Sequence, residues 1–344
     1  FLGKAPDYHF IPVGNAGTTL LFLFSLAALA EGRTLFESDM RMAERPIDDL
    51  CDALRQLGVT TQLLGTRHTV SGSSLRGGSA KLKAEKSSQF LSSLLMVASY
   101  AREDVQVEVE GKLSSVPYVD VTLDVIEKFG VHVQYFDRKW FTVKSGQRYR
   151  PIEFTVEPDA SSASYFLAAA AITGGEVIVE GMKADSLQGD VKFVEVLRQM
   201  GCNVAVKSDE LRVKSDGRIR GVDVDMNAMP DVVPTLAVIA LFAQGRTRIY
   251  NVAHLRYKES DRLQALTTEL QKLGASVTLM EDGLEITPTP LHGSQLDTYD
   301  DHRLAMSFAL AGLRVPGVKI ENPECVRKSF PTFWKEFEKL YLKS

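Results

Sequence analysis

An α/β (α+β) fold assembled from tandem repeated units is what this sequence predicts, on three observations. Four segments, ALRQLGVTTQL, DVIEKFGVHVQY, EVLRQMGCNVAV and ELQKLGASVTL, each read as the end of an amphipathic helix, a glycine and an alternating strand. Their glycines, Gly58, Gly130, Gly201 and Gly274, lie 72, 71 and 73 residues apart. A second, more apolar helix recurs in the same frame. A period of this length carries two helices and several strands, so it is not a solenoid of short repeats.

The elements follow in order. The apolar helix has five copies, with bodies TTLLFLFSLAALAEG, SSQFLSSLLMVASYA, SASYFLAAAAITGG, VVPTLAVIALFAQG and RLAMSFALAGL. Several are followed by a short strand pattern, as in EVIVEG (176–181) and TRIYNV (247–252). The last unit ends in FWKEFEKLYL. A chain of 344 residues predicts two domains, here 1–156 with about two units and 157–344 with about three. One period back from Gly58 falls before Phe1, so a sixth unit, first in order, is expected to be lacking, and FLGKAPDYHF fits no element.

Bulk composition narrows the function classes. A 44% hydrophobic and 24% charged chain is ordinary for a globular protein. A net charge of −4 argues against coating nucleic acid, so affinity for anions must come from local clusters. The apolar run Leu20 to Ala30 is too short to span a bilayer. Cys51, Cys202 and Cys325 are odd in number and lack metal-site spacing, which predicts reduced thiols in a cytoplasmic protein.

The starts of the apolar helices carry the functional signal. They are GNAGTT (14–19), EKSSQF (85–90), EPDASSAS (157–164), NAMPDVVPT (227–235) and DTYDDHR (297–303), rich in capping residues such as Asn15, Ser87, Ser88, Asp159, Ser161, Asp231 and Asp301. Any one alone reads as N-capping, worth about 1 kcal/mol. Five recurring with the repeat suggest a site for a ligand carrying several anionic groups, because helix N-termini attract anions. The stretch HLRYKESDR (254–262) adds two cations, Lys258 and Arg262, at i,i+4 before an amphipathic helix, with Glu259 beside them. On one helix that like-charge pair is costly unless an anion lies between its members.

With these motifs assembled, the chain resembles the EPSP synthase family of enolpyruvyl transferases. The resemblance runs through GNAGT (14–18), ERPIDDL (44–50), SSQF (87–90), PYVDVTL (117–123), DASSASYFLAAAAITGG (159–175), SLQGD (186–190), MPDVVPTLAV (229–238), HLRYKESDR, TYDDHR (298–303) and RKSFP (327–331). It implies a two-domain clamp of βαβαββ units, an inside-out α/β barrel. It also implies transfer of the enolpyruvyl group of phosphoenolpyruvate to the 5-hydroxyl of shikimate 3-phosphate, without metal or organic cofactor, by a monomer with no nucleic-acid or membrane partner.

By matching motif, the resemblance implies that Arg45, Arg262, Arg303 and Lys328 bind phosphoenolpyruvate. Arginine's planar fork suits carboxylate and phosphate. Ser87, Ser88, Gln89, Ser115 and Tyr118, with Asp231 and Lys258, would hold shikimate 3-phosphate. Asp231 would accept or orient the attacking hydroxyl's proton, and Lys258, expected to have a lowered pKa, would share proton transfer with Glu259. Other readings stand beside these: Arg45 as a surface arginine before Pro46, Asp231 as an N-cap, His302 as structural.

Besides the expected lack of the family's first unit, the chain departs from the family at two places. Leu21 stands where the family has an arginine, so Leu21→Arg is expected to strengthen phosphoenolpyruvate binding. Ala84-Glu85-Lys86 replaces a Gly-Ser pair. One rival reading is an enolpyruvyl transferase acting on a nucleotide or nucleotide sugar through a loop cysteine, a position that none of the three cysteines matches. The other is a homologue that binds ligand without turnover.

Overall fold

The computed structural model describes residues 8–73 and 75–340, so FLGKAPDYHF falls mostly outside the described residues. The chain divides between Phe154 and Thr155 into two compact halves.

The first half holds two four-stranded sheets. Strands β1 (Tyr8–Gly14), β2 (Glu31–Ser38), β3 (Thr60–Leu64) and β4 (Arg67–Ser73) run in the order β1-β2-β4-β3. Strands β5 (Gly78–Lys83), β6 (Val105–Glu110), β7 (Val133–Phe136) and β8 (Trp140–Val143) repeat that order as β5-β6-β8-β7. In each sheet the first pair is parallel and the others antiparallel. Helices α1 (Gly17–Ala27), α2 (Met40–Glu44) and α3 (Asp48–Gln56) are interleaved with the first sheet, and α4 (Gln89–Ala98) and α5 (Val116–Lys128) with the second. Each unit thus reads βαβαββ, the short α2 being an extra turn. Parallel pairing requires a crossover, which the apolar helix supplies.

The second half repeats the theme. It contains α6 (Ala160–Thr173), β9 (Gly175–Glu180), α7 (Phe193–Gln199), β10 (Asn203–Val206) and β11 (Glu210–Ser215). Next come β12 (Asp223–Asp225), α8 (Val233–Ala240), β13 (Thr247–Tyr250), α9 (Arg262–Lys272), β14 (Ser276–Leu279) and β15 (Leu284–Thr287). The chain closes with β16 (Gln295–Leu296), α10 (His302–Ala311), β17 (Lys319–Ile320) and α11 (Phe333–Glu338). The order β12-β13-β15-β14 again matches the first half.

The four repeat glycines end α3, α5, α7 and α9 with φ of +87°, +86°, +108° and +90°. After each, the next residue's N–H donates five residues back: Val59 to Leu54 (2.9 Å), Val131 to Ile126 (3.1 Å), Cys202 to Leu197 (3.0 Å) and Ala275 to Leu270 (3.2 Å). These are Schellman motifs, and the paired apolar residues are buried in each case. At Gly201 an added Cβ meets nothing nearer than 3.7 Å, so backbone strain alone decides the effect of a side chain there. Gly201→Ala is expected to destabilise by about 1–2 kcal/mol, the left-handed penalty. The check is a lowered urea midpoint at unchanged m-value.

The apolar helices form the core of each half. In the second half Ser164, Thr235 and Ser307, on α6, α8 and α10, form a buried hydroxyl chain with O···O distances of 3.2 and 3.4 Å. Their sequence separations, 71 and 72, are the repeat period. In the first half Ser25 of α1 and Ser93 of α4 meet the same way at 2.9 Å. Bonding among themselves lets three hydroxyls sit in an apolar core without leaving a polar group unsatisfied.

Candidate active site

In the second half, loops and helix starts gather seven charged side chains. Asp231 lies in a 3₁₀ turn, Pro230–Val232, before α8. Lys258 follows the 3₁₀ turn Ala253–Tyr257 in an extended conformation, and Glu259 comes next. Arg262 is the first residue of α9, whose N-cap Asp261 accepts the Gln264 N–H. Asp301 caps α10 by accepting the Arg303 N–H, and Lys328 ends the 3₁₀ segment Pro323–Lys328.

Arg262 is the hub, with its side chain only 1% exposed. Its Nε donates to Asp301 Oδ2 (2.8 Å) and its Nη2 to Asp301 Oδ1 (3.3 Å) and Glu259 Oε2 (2.9 Å). Nη1 donates to Asp231 Oδ1 (3.0 Å). Arg303 Nη2 takes the other Asp231 oxygen at 2.8 Å, Lys328 Nζ takes Glu259 Oε1 at 2.8 Å, and Ser260 Oγ donates to Asp301 at 3.0 Å. Four cations therefore face three carboxylates.

This corrects the reading of HLRYKESDR. Lys258 and Arg262 do not share a helix, because Asp261 starts α9 after Lys258, and Arg262 is neutralised by three of the protein's own carboxylates. The pattern Asp261-x-x-Gln264 ahead of the apolar period was the signal for that start. Four of Arg262's five N–H groups are committed, so an incoming anion that is to take two bonds from it must displace Glu259 or Asp231.

Asp231 is no N-cap. Burial alone would raise its pKa, but Arg303, Arg262 and Lys258 override that and hold it well below the usual carboxylate range. A carboxylate held so low is a weak base, which favours orienting a hydroxyl over deprotonating it.

His302 is buried, and its Nδ1 lies 3.7 Å from Asp301 Oδ1. Burial first, then Arg303, lowers its pKa to about 4, opposed by Asp301. The ring is neutral at pH 7, which suits a structural part. Between pH 6.5 and about 4 the unfolded chain takes up a proton at this position that the native ring refuses, so stability falls as pH falls. The expected loss is about 3 kcal/mol, and it should vanish from urea titrations of His302→Phe. Asp231 and Asp301, both depressed, add their own losses at lower pH.

Sequence reasoning did not single out Ser260 or Tyr165, and it took Asp301 only as a cap. Tyr165 is fully buried on α6, its ring edge-on to Phe333 at 5.7 Å. Burial pushes its phenol up to about 12 against the pull of Arg303.

The first half gathers the other predicted residues. Arg45 follows α2 in the extended conformation that Pro46 imposes. It is half-buried, and its guanidinium lies so close to Gly17 that a Cβ there would fall 2.5 Å from both Nη atoms. Gly17 opens α1, which has no side-chain cap. Gln89, first residue of α4, donates to Thr18 Oγ1 at 3.0 Å, and Ser87 Oγ accepts the Gln89 N–H at 3.2 Å. Ser88, the N-cap position of α4, is buried and makes no side-chain cap bond. Ser115, in the left-handed region at φ +52°, starts α5, with Tyr118 in its first turn. Ser114 ties this start to the approach to α4, its N–H donating to Ala84 O at 3.2 Å and its Oγ to Glu85 O.

The departures have structural roles. Leu21 is 3% exposed and belongs to the core of the first half, so Leu21→Arg is now expected to destabilise the fold rather than strengthen anion binding. Glu85 accepts the Lys112 N–H (3.3 Å), and Lys86 pairs with Asp49 (3.4 Å). Cys51 and Cys202 are buried. Burial raises all three thiols, Cys51 and Cys325 to about 11, which argues against a thiolate nucleophile.

The repeated βαβαββ unit, with cations and hydroxyls at its helix starts, agrees with the resemblance to the enolpyruvyl transferases. The family model described as EPSP synthase (3-phosphoshikimate 1-carboxyvinyltransferase) matches residues 4–337. A 3-phosphoshikimate 1-carboxyvinyltransferase of Nostoc sp. is 44% identical over 332 residues, 95% of this chain and 78% of the relative. The Methanoculleus marisnigri protein of that name is 46% identical over 331 residues, 94% of this chain and 78% of the relative. The chloroplastic protein of Solanum lycopersicum is 48% identical over 346 residues, 95% of this chain and 66% of the relative. An EPSP synthase structure from Acinetobacter baumannii superposes with a TM-score of 0.76 at 27% identity, covering 98% of this chain and 79% of that one. The chain belongs to the EPSP synthase (3-phosphoshikimate 1-carboxyvinyltransferase) family.

Proposed function

We propose that the chain transfers the enolpyruvyl group of phosphoenolpyruvate to the 5-hydroxyl of shikimate 3-phosphate, releasing phosphate. Family membership along almost the whole chain carries this reading. The Asp231–Arg262–Glu259 cluster supplies groups suited to it. Asp231 orients the attacking hydroxyl. Lys258 and Glu259 move protons at the methylene carbon and the bridging oxygen. Arg303 and Lys328 bind the phosphoenolpyruvate anions, and Arg262 joins them by exchanging one of its carboxylates.

In the first half, Arg45 and the N-terminus of α1 form an anion site beside Gln89. Within that half, Ser87, Ser88, Gln89, Ser115 and Tyr118 supply hydroxyl and amide groups suited to shikimate 3-phosphate. We place the protein in the cytoplasm as a monomer acting on these two small molecules, without nucleic-acid or membrane partners. Its net charge of −4 weighs against a nucleic-acid partner. No described helix is long and apolar enough to cross a membrane.

Phosphate release tests the reading. It is expected only when both substrates are present; no release despite binding of shikimate 3-phosphate would overturn it in favour of a binding protein without turnover. Arg45→Lys tests the first-half anion site. A point charge cannot copy the bidentate fork, so KM for phosphoenolpyruvate should rise about tenfold, or ~1.4 kcal/mol, with KM for shikimate 3-phosphate little changed. An unchanged pair of constants would remove Arg45 from the site.

A further inference from the structure

A buried carboxylate remote from the substrate-facing groups remains without a part in this chemistry. Glu269 of α9 is 0% exposed and takes three donors: the Tyr299 hydroxyl (2.8 Å), the Asp297 N–H (2.9 Å) and Lys272 Nζ (2.8 Å). Two of these lie on the segment 297–301 that leads into α10. That segment contains two consecutive non-glycine residues in the left-handed region, Tyr299 at φ +52° and Asp300 at φ +54°. L side chains disfavour that conformation, and it persists only where surroundings impose it. Asp297 Oδ1 accepts the Tyr299 N–H at 2.8 Å, and Asn322 Nδ2 donates to Asp300 Oδ1 at 2.9 Å.

Glu269 lies seven residues after Arg262, so the two project from one face of α9 about 10 Å apart. Helix α9 therefore grips the same segment twice, through Glu269 at Asp297 and Tyr299, and through Arg262 at Asp301. We infer that Glu269, acting through Tyr299, is a positioning residue that holds the 297–301 turn in its left-handed form, so that Asp301 meets Arg262 and Arg262 in turn fixes Asp231 and Glu259. A purely structural carboxylate would stabilise the half without setting the geometry at Arg262.

The experiment compares Tyr299→Phe and Glu269→Gln with wild type, reading the hydrogen-exchange rate of the Arg262 Nε proton in ¹⁵N-arginine-labelled protein, together with kcat and KM. Tyr299→Phe removes one hydrogen bond from a side chain already 39% exposed, so the fold should keep its melting temperature. Glu269→Gln turns an amide donor toward the Asp297 N–H or the Tyr299 hydroxyl. Expected are at least tenfold faster Nε exchange in both variants, kcat lower several-fold and KM within twofold. The double variant should be no worse than Glu269→Gln alone. Unchanged Nε exchange in Tyr299→Phe overturns the inference, as does an equal acceleration of the α6 amides, which would mean general loosening. Should Glu269→Gln fail to fold, Tyr299→Phe decides alone. The kinetic arm rests on the function proposed above and the exchange arm does not. A wild-type chain without turnover would therefore sink that function, while Nε exchange still decides this inference.

Discussion

Lys258→Met should lose turnover by about 10²–10⁴-fold, the range for a positioned proton-transfer group, while unfolding in urea at the wild-type midpoint. Lys258 sits half-buried in the irregular link between a 3₁₀ turn and α9, in an extended conformation that methionine adopts equally well. It is close enough to help hold Asp231 below the usual carboxylate range. Methionine keeps most of the length and removes the ammonium. The measurement is kcat for phosphate release beside a urea titration. A near-normal rate would remove Lys258 from proton transfer, and a collapsed midpoint would recast it as structural.

The sequence showed the skeleton of this protein more clearly than its wiring. Gly58, Gly130, Gly201 and Gly274 were legible because a Schellman motif needs a left-handed residue at one fixed place, and glycine takes that place without strain. The five apolar helices were legible because each is buried on several sides and so reads as a long apolar run. The short strands, such as β12 and β16, were not, because two or three residues carry no period. At the site, motifs located Asp231, Lys258, Glu259, Arg262 and Arg303, but pairing could not be read from them. Arg262 looked like an exposed cation awaiting an anion because the carboxylate that buries it, Asp301, is 39 residues away. Tyr299 gives little local cue to left-handed backbone beyond the Asp297 bond to its N–H, and the side chains of Tyr299 and Asp300 are tied by tertiary bonds to Glu269 and Asn322.

Asp301→Asn should be the most destabilising single change at this site. The carboxylate is 0% exposed and pairs with Arg262 through two bonds, accepts Ser260 Oγ and caps α10. Asparagine can keep the cap, since its Oδ1 still accepts the Arg303 N–H, but its Nδ2 replaces the oxygen that accepts Arg262 Nε and Ser260 Oγ, so charge and acceptor are lost together. Arg262 then stays buried with Asp231 and Glu259 as its remaining partners, and those are the groups the proposed chemistry needs to point elsewhere. Removing one member of a buried pair costs about 3–5 kcal/mol, because the partner's desolvation is no longer compensated. A matching drop in unfolding free energy is the expected reading from urea titration. Replacing both members by apolar residues, Arg262→Met with Asp301→Leu, should recover much of that loss, since no charge is left buried without its counter-ion. It should not recover turnover, because Asp231 and Glu259 lose the guanidinium that holds them in place. Stability restored with turnover still absent would separate the two duties of the cluster. Turnover restored along with stability would show that Arg262 serves the fold alone, leaving Lys258, Arg303 and Lys328 as the cations proposed to meet substrate in this half of the chain.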